Sequence, residues 1–160
     1  MQEITLDAFD YAILSALQAD GSLTNAQLAE RVNLSASQCS RRKAALEASG
    51  YIEGYTARLN TAKLGFTVEA FVRVNLSSHG KAQAEDFATY LEAFPQVRAA
   101  YSVSGDADYV LHVTARDLEH FAEFIHRHLL PYGRIGQVRS EIVLTTLKQS
   151  GGLPLRHGGL

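Results

Sequence analysis

From Leu6 to Asp20 the apolar residues Phe9, Ile13, Leu14 and Leu17 recur at helical spacing, which predicts a helix with Asp7 near its positive end. Asp20-Gly21-Ser22 stops it, glycine being the favoured residue past a helix terminus. Two more helices are signalled at once. Thr24 with Gln27 and Ser35 with Gln38 each have the hydroxyl-x-x-Gln spacing of a capping box, in which side chains satisfy amide donors that a first turn leaves orphaned. Leu28, Ala29 and Val32 give the first of these helices an apolar face, and Asn33-Leu34 fills the turn, where asparagine tolerates a left-handed backbone. At about 100° per residue, with Cys39 taken as inward, Leu46 returns to the same side and Ala36 lies at its edge. Ser37 and Arg41 then point almost opposite, flanked by Ser40 and Gln38. This is a helix-turn-helix pattern whose outer face carries groups that suit base edges or phosphates, though an ordinary solvated face would read the same way.

After Gly50 the pattern changes. Tyr51 to Leu59 is β-branched and aromatic around Gly54, which predicts a short strand pair or an extended linker, and residues 60–66 lead into a second domain. There Val68, Ala70, Val72, Val74 and Leu76 alternate with polar residues, the mark of a strand with one buried face. A helix follows over 81–94, with Ala84, Phe87, Ala88 and Leu91 on one side and Pro95 as its stop. Strands over 97–104 and 108–115 flank a Gly105-Asp106-Ala107 turn, so they form a hairpin. A helix over 117–130 and a last strand over 137–147 complete the order βαββαβ, the ferredoxin-like split unit with helices on one face of a sheet. Its other face needs a cover, and a second copy of the domain is the economical candidate. The fold class is therefore α+β: a helix-turn-helix domain over 1–50, a linker strand or hairpin over 51–66, a βαββαβ domain over 67–148, and a tail over 149–160 whose order is left open.

Composition narrows the function classes. A chain of 160 residues that is 46% apolar with three prolines can bury a full core. It has no apolar run of membrane-spanning length and no signal-type start, so a soluble cytoplasmic protein is expected. The single cysteine, Cys39, excludes an intrachain disulfide framework, and its inward angle makes it a small core residue. Net charge is −2, and residues 1–60 hold Arg31, Arg41, Arg42, Lys43 and Arg58 against seven carboxylates, five minus seven giving −2 there too. The basic footprint is confined to Arg41-Arg42-Lys43, short for a phosphate-binding face. One copy should bind DNA poorly, and oligomerisation would supply the missing charge.

No catalytic arrangement emerges. His120, His126 and His128 lie on one predicted helix, but residues two apart diverge by about 200°, so no metal site is expected. Asp106 and Asp108 flank a hairpin turn, where aspartate is common for conformational reasons, and no nucleophile or general base is visible beside them. GxGxxG and P-loop motifs are absent, so neither an enzyme nor a cofactor is expected.

Four stretches in order, LDAFDYAILSALQADG, LAERVNLSASQC, LEASGYIEGYTARLN and SGDADYVL, resemble the Lrp/AsnC, or feast/famine, transcriptional regulators. The resemblance runs from about Leu6 to Ser150. It implies a winged-type helix-turn-helix, a linker strand and a RAM-type effector domain of the βαββαβ kind. It also implies homodimers joined through their sheets, often assembled into octamers, with double-stranded DNA and an amino-acid-type effector as partners. The DNA-binding residues expected are Ser37, Gln38, Ser40 and Arg41 in the major groove, with Arg42 and Lys43 on phosphates. The family places its effector near the SGDxDY hairpin, here Ser104, Gly105, Asp106, Asp108 and Tyr109. A carboxylate for an ammonium and turn amides for a carboxylate would suit a zwitterion; alternatively the same loop serves only the hairpin and a subunit contact. The function implied is sequence-specific transcriptional regulation in response to a small metabolite. An architectural DNA-binding protein with little sequence preference, or a metabolite-binding ferredoxin-like domain, are the alternatives.

The chain departs from the family pattern in places. Asn33 replaces a common glycine in the turn, Lys43 stands where an apolar residue is usual, and Ala44 and Ala45 stand where basic residues are frequent. Glu141 falls where uncharged groups often line the effector pocket, so it either selects a ligand with a second ammonium or faces solvent.

Overall fold

The computed structural model describes residues 5–78, 80–149 and 152–155. It divides into two compact units, one running to Arg58 and taking in the segment from Lys148, the other Leu59–Leu147.

In the first unit, α1 (Ala8–Ala19), α2 (Asn25–Val32) and α3 (Ala36–Ala48) each start on a reciprocal capping box. Thr24 pairs with Gln27 and Ser35 with Gln38, as their spacing predicts, and Asp7 with Asp10 forms a third. Each such cap contributes about 1 kcal/mol, a large share for so small a helical unit. Asn33 ends α2 at φ 54°, and among the described residues it alone takes a positive φ without being glycine. That left-handed step lets the Leu34 amide reach back to the Ala29 carbonyl at 3.1 Å and turns the chain into α3.

Ile13, Leu17, Leu23, Leu28, Ala29, Val32, Cys39 and Leu46 form the core of this unit. Cys39 is fully buried and its thiol pKa is pushed up by burial, so it stays a thiol that packs like a small apolar group. Phe9, expected on the apolar face of α1, is 43% exposed and lies under the Arg42 guanidinium, 5.5 Å from ring centre to Cζ. Residues 51–59 form no strand and no hairpin among the described residues. In the tail, Gln18 exchanges two hydrogen bonds of 2.8 Å with the Leu153 backbone, and Arg58 donates to Gln149 at 2.9 Å. Residues 150, 151 and 156–160 of the expected tail lie outside the described residues.

The second unit contains β1 (Val68–Leu76), α4 (Lys81–Glu92), β2 (Val97–Ser102), β3 (Tyr109–Ala115), α5 (Leu118–Glu123, continued by a π-helical turn Phe124–Leu129) and β4 (Ile135–Ile142). The four-stranded sheet has the order β2-β3-β1-β4 with every neighbouring pair antiparallel, the arrangement expected of βαββαβ. Ala70, Val72, Val74, Leu111 and Val113 are fully buried on one sheet face, in one cluster with Phe87, Leu91, Phe121, Phe124, Ile125 and Leu129 from the helices. The alternate positions, Glu69, Phe71, Arg73 and Asn75 on β1 with His112 and Thr114 on β3, form the opposite face.

The last strand is shifted from its expected span of 137–147. Pairing starts at Ile135 across a register break between Asn75 and Leu76. Gly136 sits at that break because a Cβ there would come within 3.4 Å of the Asn75 carbonyl and the Ser77 amide. Ile142 stands opposite Ala70, the Val143 amide makes one more bond, 2.9 Å to the Glu69 carbonyl, and beyond it Leu144 and Leu147 are 93% and 94% exposed.

Candidate DNA interface and effector pocket

The outward face of α3 is less basic than its sequence suggests. Arg42 turns back onto α1, with Nη2 2.9 Å from Asp7 Oδ2 and Nη1 2.7 Å from Asp10 Oδ1. Asp10 is only 7% exposed, a buried carboxylate held beside one guanidinium. The Asp10 and Asp7 bonds raise the Arg42 pKa, while the Asp10 amide and then Arg42 hold the Asp7 carboxyl below the usual range. Lys43 is also occupied: its Nζ lies 4.8 Å from the Tyr55 ring centre and 4.0 Å from Glu47. Burial, reinforced by donation to Glu47 at 3.0 Å, pushes the Tyr55 hydroxyl up to about 12, so it remains a neutral donor. Arg42 and Lys43, the residues expected on phosphates, thus hold partners within the domain, carboxylates at the start of α1 for one and a linker ring for the other.

Gln38 is partly committed as well, its Oε1 accepting from the Ser35 amide at 3.0 Å and hydroxyl at 2.9 Å. Ser37 Oγ lies 3.1 Å from Ser35 Oγ, and Ser40 and Arg41 are exposed. Among the described residues Arg41 makes no ion pair, which leaves it as the cation presented outward from the Arg41-Arg42-Lys43 cluster.

Depressed pKa values carry a pH consequence. A carboxylate whose folded pKa lies below its unfolded value contributes stability above the unfolded pKa and loses it as pH falls through the folded one. Asp7, lowered by its amide bond and Arg42, and Asp20, lowered by Ser22, both lie in this unit. Circular dichroism should accordingly show the helical unit losing stability only below about pH 4, where carboxylates begin to protonate. A loss centred near neutral pH would contradict it.

The second site lies at the Asp106 turn. A cavity of about 210 Å3 is lined by Arg73, Asn75, Asp106, Ala107, Gln137 and Arg139. Arg73 and Arg139 are register partners on β1 and β4, and like charges directly opposite are unfavourable without a counter-ion. Glu141 answers one of them, accepting from Arg73 Nε at 2.9 Å. Arg139 makes no ion pair among the described residues.

The five expected effector residues separate in space. Asp106 lines the cavity, and Gly105 takes φ 129° in the turn beside exposed Ser104. Asp108 instead sutures the turn to β1: its Oδ2 accepts from the Leu76 amide at 2.8 Å, and its amide donates to Val74 O and Asn75 Oδ1. Tyr109 lies on the helix side, its ring 5.1 Å from that of Phe87. Its parity with buried Leu111 and Val113 already carried that signal. Arg73, Asn75, Gln137 and Arg139 were missed, since their meeting depends on the β1–β4 register between distant segments.

Comparison with known proteins assigns each half of the chain to a family domain. Residues 6–53 match the family model for a winged helix-turn-helix DNA-binding domain, and residues 69–153 match that for the Lrp/AsnC ligand binding domain. The chain belongs to the Lrp/AsnC family of transcriptional regulators. It is similar to the leucine-responsive regulatory protein of Rhizobium meliloti, 39% identical over 92% of this chain and 94% of that one. The transcriptional regulator AzlB of Bacillus subtilis is 35% identical over 95% of this chain and 97% of its own. A Neisseria meningitidis transcriptional regulator, solved in complex with L-methionine, superposes with a TM-score of 0.91 at 37% identity, covering 96% of this chain and 99% of that one. As an Lrp/AsnC protein the chain is a DNA-binding transcriptional regulator with a ligand-binding domain, and these relatives are regulators, not enzymes. No helix among the described residues is long and apolar enough to cross a membrane.

Proposed function

We propose that this Lrp/AsnC regulator reads specific duplex sites through Arg41, Ser37 and Ser40 of α3 and takes an amino acid in the Asp106 cavity. The observation that carries the effector reading is the cross-strand pair of Arg73 and Arg139 beside Asp106 in one cavity. A ligand carboxylate relieves the facing guanidiniums, and its ammonium pairs with Asp106. Asn75 and Gln137 supply neutral partners for the remaining polar atoms. Ser104 and Gly105 shape the turn, while Asp108 and Tyr109 position it without touching ligand. Glu141 tunes Arg73 rather than selecting a second ammonium. In the reader, Gln38, Arg42 and Lys43 hold α3 in place.

A second copy of the chain covers the outer sheet face, where Phe71 is 39% and Tyr101 57% exposed. Further assembly of such dimers supplies the charge that a single outward arginine lacks. Ligand at the turn shifts that assembly and with it the spacing of sites held together.

Titration calorimetry with L-methionine and L-leucine tests the effector half. Saturable binding is expected for at least one of them, weakened about ten-fold or more in Asp106→Asn, the scale of one charge-assisted hydrogen bond. Equal affinity in the variant would remove Asp106 from the site. Heat from neither ligand would overturn these two as effectors.

A further inference from the structure

The ligand-binding unit has a second cavity, of about 230 Å3, at the other end of β3 from the Asp106 turn. Its floor is apolar: Phe66, fully buried Val113, and Phe124 at 2% exposure. Around that floor stand Arg116, His120 and His128. From this arrangement we infer that the cavity binds a small carboxylate with an apolar body and no amino group, of the 2-oxo acid type, separately from the amino-acid site.

Helix geometry brings the basic groups together. In an uninterrupted α-helix each step of four residues drifts by about 40°, so positions 120, 124 and 128 would fan out across about 80°. Here the helix widens after Glu123, and the Leu130 amide donates to the Ile125 carbonyl, five residues back, at 2.8 Å. The wider turn reverses the drift in its second step and keeps His128 on the side of Phe124 and His120. Such π-helical insertions exchange regular packing for side-chain placement and occur often at functional sites. His128 is steadied by the Phe94 ring, 5.2 Å away. His126 does not line the cavity.

The remaining donors are fixed from behind. Asp117 Oδ1 accepts from the His120 amide at 2.8 Å and lies 2.7 Å from its Nδ1. That contact orients the ring and leaves Nε2 available. The Arg116 carbonyl is held by the Thr67 amide and hydroxyl at 3.2 and 2.6 Å, yet its guanidinium makes no ion pair among the described residues.

Charge separates the two cavities by ligand class. The Asp106 cavity has a carboxylate with no ion-pair partner among the described residues, together with arginines, and so suits a zwitterion. In the second cavity the carboxylate, Glu123, is already paired with Arg127 at 2.9 Å. The uncompensated charge there is positive. An ammonium finds no unpaired carboxylate among the lining residues, whereas a carboxylate meets Arg116 and the imidazoles while its hydrocarbon lies on Phe66 and Phe124. The volume falls below the roughly 300–1,000 Å3 of drug-sized sites, which suits a ligand of a few carbons.

Titration of the full chain with 4-methyl-2-oxopentanoate tests the proposal. Wild type should bind it saturably. Arg116→Gln and His128→Gln, both at exposed positions, should each weaken it about ten-fold while melting like wild type. Arg139→Gln, in the other cavity, should leave that affinity unchanged. Absence of saturable binding to wild type overturns the inference. So does binding that survives both cavity substitutions, or that is lost in Arg139→Gln while Arg116→Gln retains it.

Discussion

Arg42→Ala is expected to destabilise the helix-turn-helix unit by about 2 kcal/mol and to weaken operator binding as a consequence. Breaking a fully buried ion pair by removing one partner costs about 3–5 kcal/mol, because the other charge is left uncompensated. The expected loss is smaller because the Arg42 side chain keeps 25% exposure, so water can approach the orphaned Asp10 carboxylate. In a unit this small that corresponds to a fall in melting temperature on the order of 10 °C. Arg41→Ala provides the contrast. Among the described residues its side chain makes no ion pair, so melting should be unchanged while operator affinity at matched salt falls about ten-fold or more, the scale of one lost bidentate base contact. Differential scanning fluorimetry with a gel-shift titration separates the two. If Arg41→Ala bound as wild type, or if Arg42→Ala weakened binding without lowering stability, the division of labour between the neighbouring arginines would be reversed.

The second large effect concerns Phe87. It is 1% exposed, packs its ring on Tyr109 and Tyr132, and belongs to the cluster beneath β1 and β3. Phe87→Ala should cost about 3–5 kcal/mol, combining lost transfer energy with a cavity that the stiff sheet cannot collapse to fill. Urea denaturation followed by circular dichroism measures it. Because Tyr109 begins β3 directly after the Asp106 turn, amino-acid binding should weaken in the same variant. An unchanged unfolding midpoint would mean that the cluster is less tightly packed than the fully buried residues around Phe87 imply.

Membership in the Lrp/AsnC family joins a reader and a sensor in one chain, and the charge on α3 bears on how they cooperate. With Arg42 and Lys43 turned inward, a single copy offers little phosphate neutralisation, so affinity should depend steeply on how many copies bind together. The pairing of those two side chains within the domain is the structural reason for that expectation, one that the net charge of −2 alone does not supply.

What the sequence by itself determined was local. The Thr24 and Ser35 caps, the left-handed step at Asn33, and the alternation over β1 each concern residues a few positions apart, whose geometry repeats with the helix or strand period. By sequence Tyr109 is read only through the family motif, as an effector residue, and the structure puts it with Leu111 on the helix side of β3. Tertiary structure alone decided which charges met. Arg42 finds Asp10 across 32 positions, and Arg73 faces Arg139 only because β4 pairs with β1 in one register. It also decided that β4 runs from Ile135 to Ile142 across a register break, and that a π turn gathers His120 and His128. These outcomes depend on which side chain reaches a charge or a backbone group first once the elements have packed, a competition across space that no local period encodes.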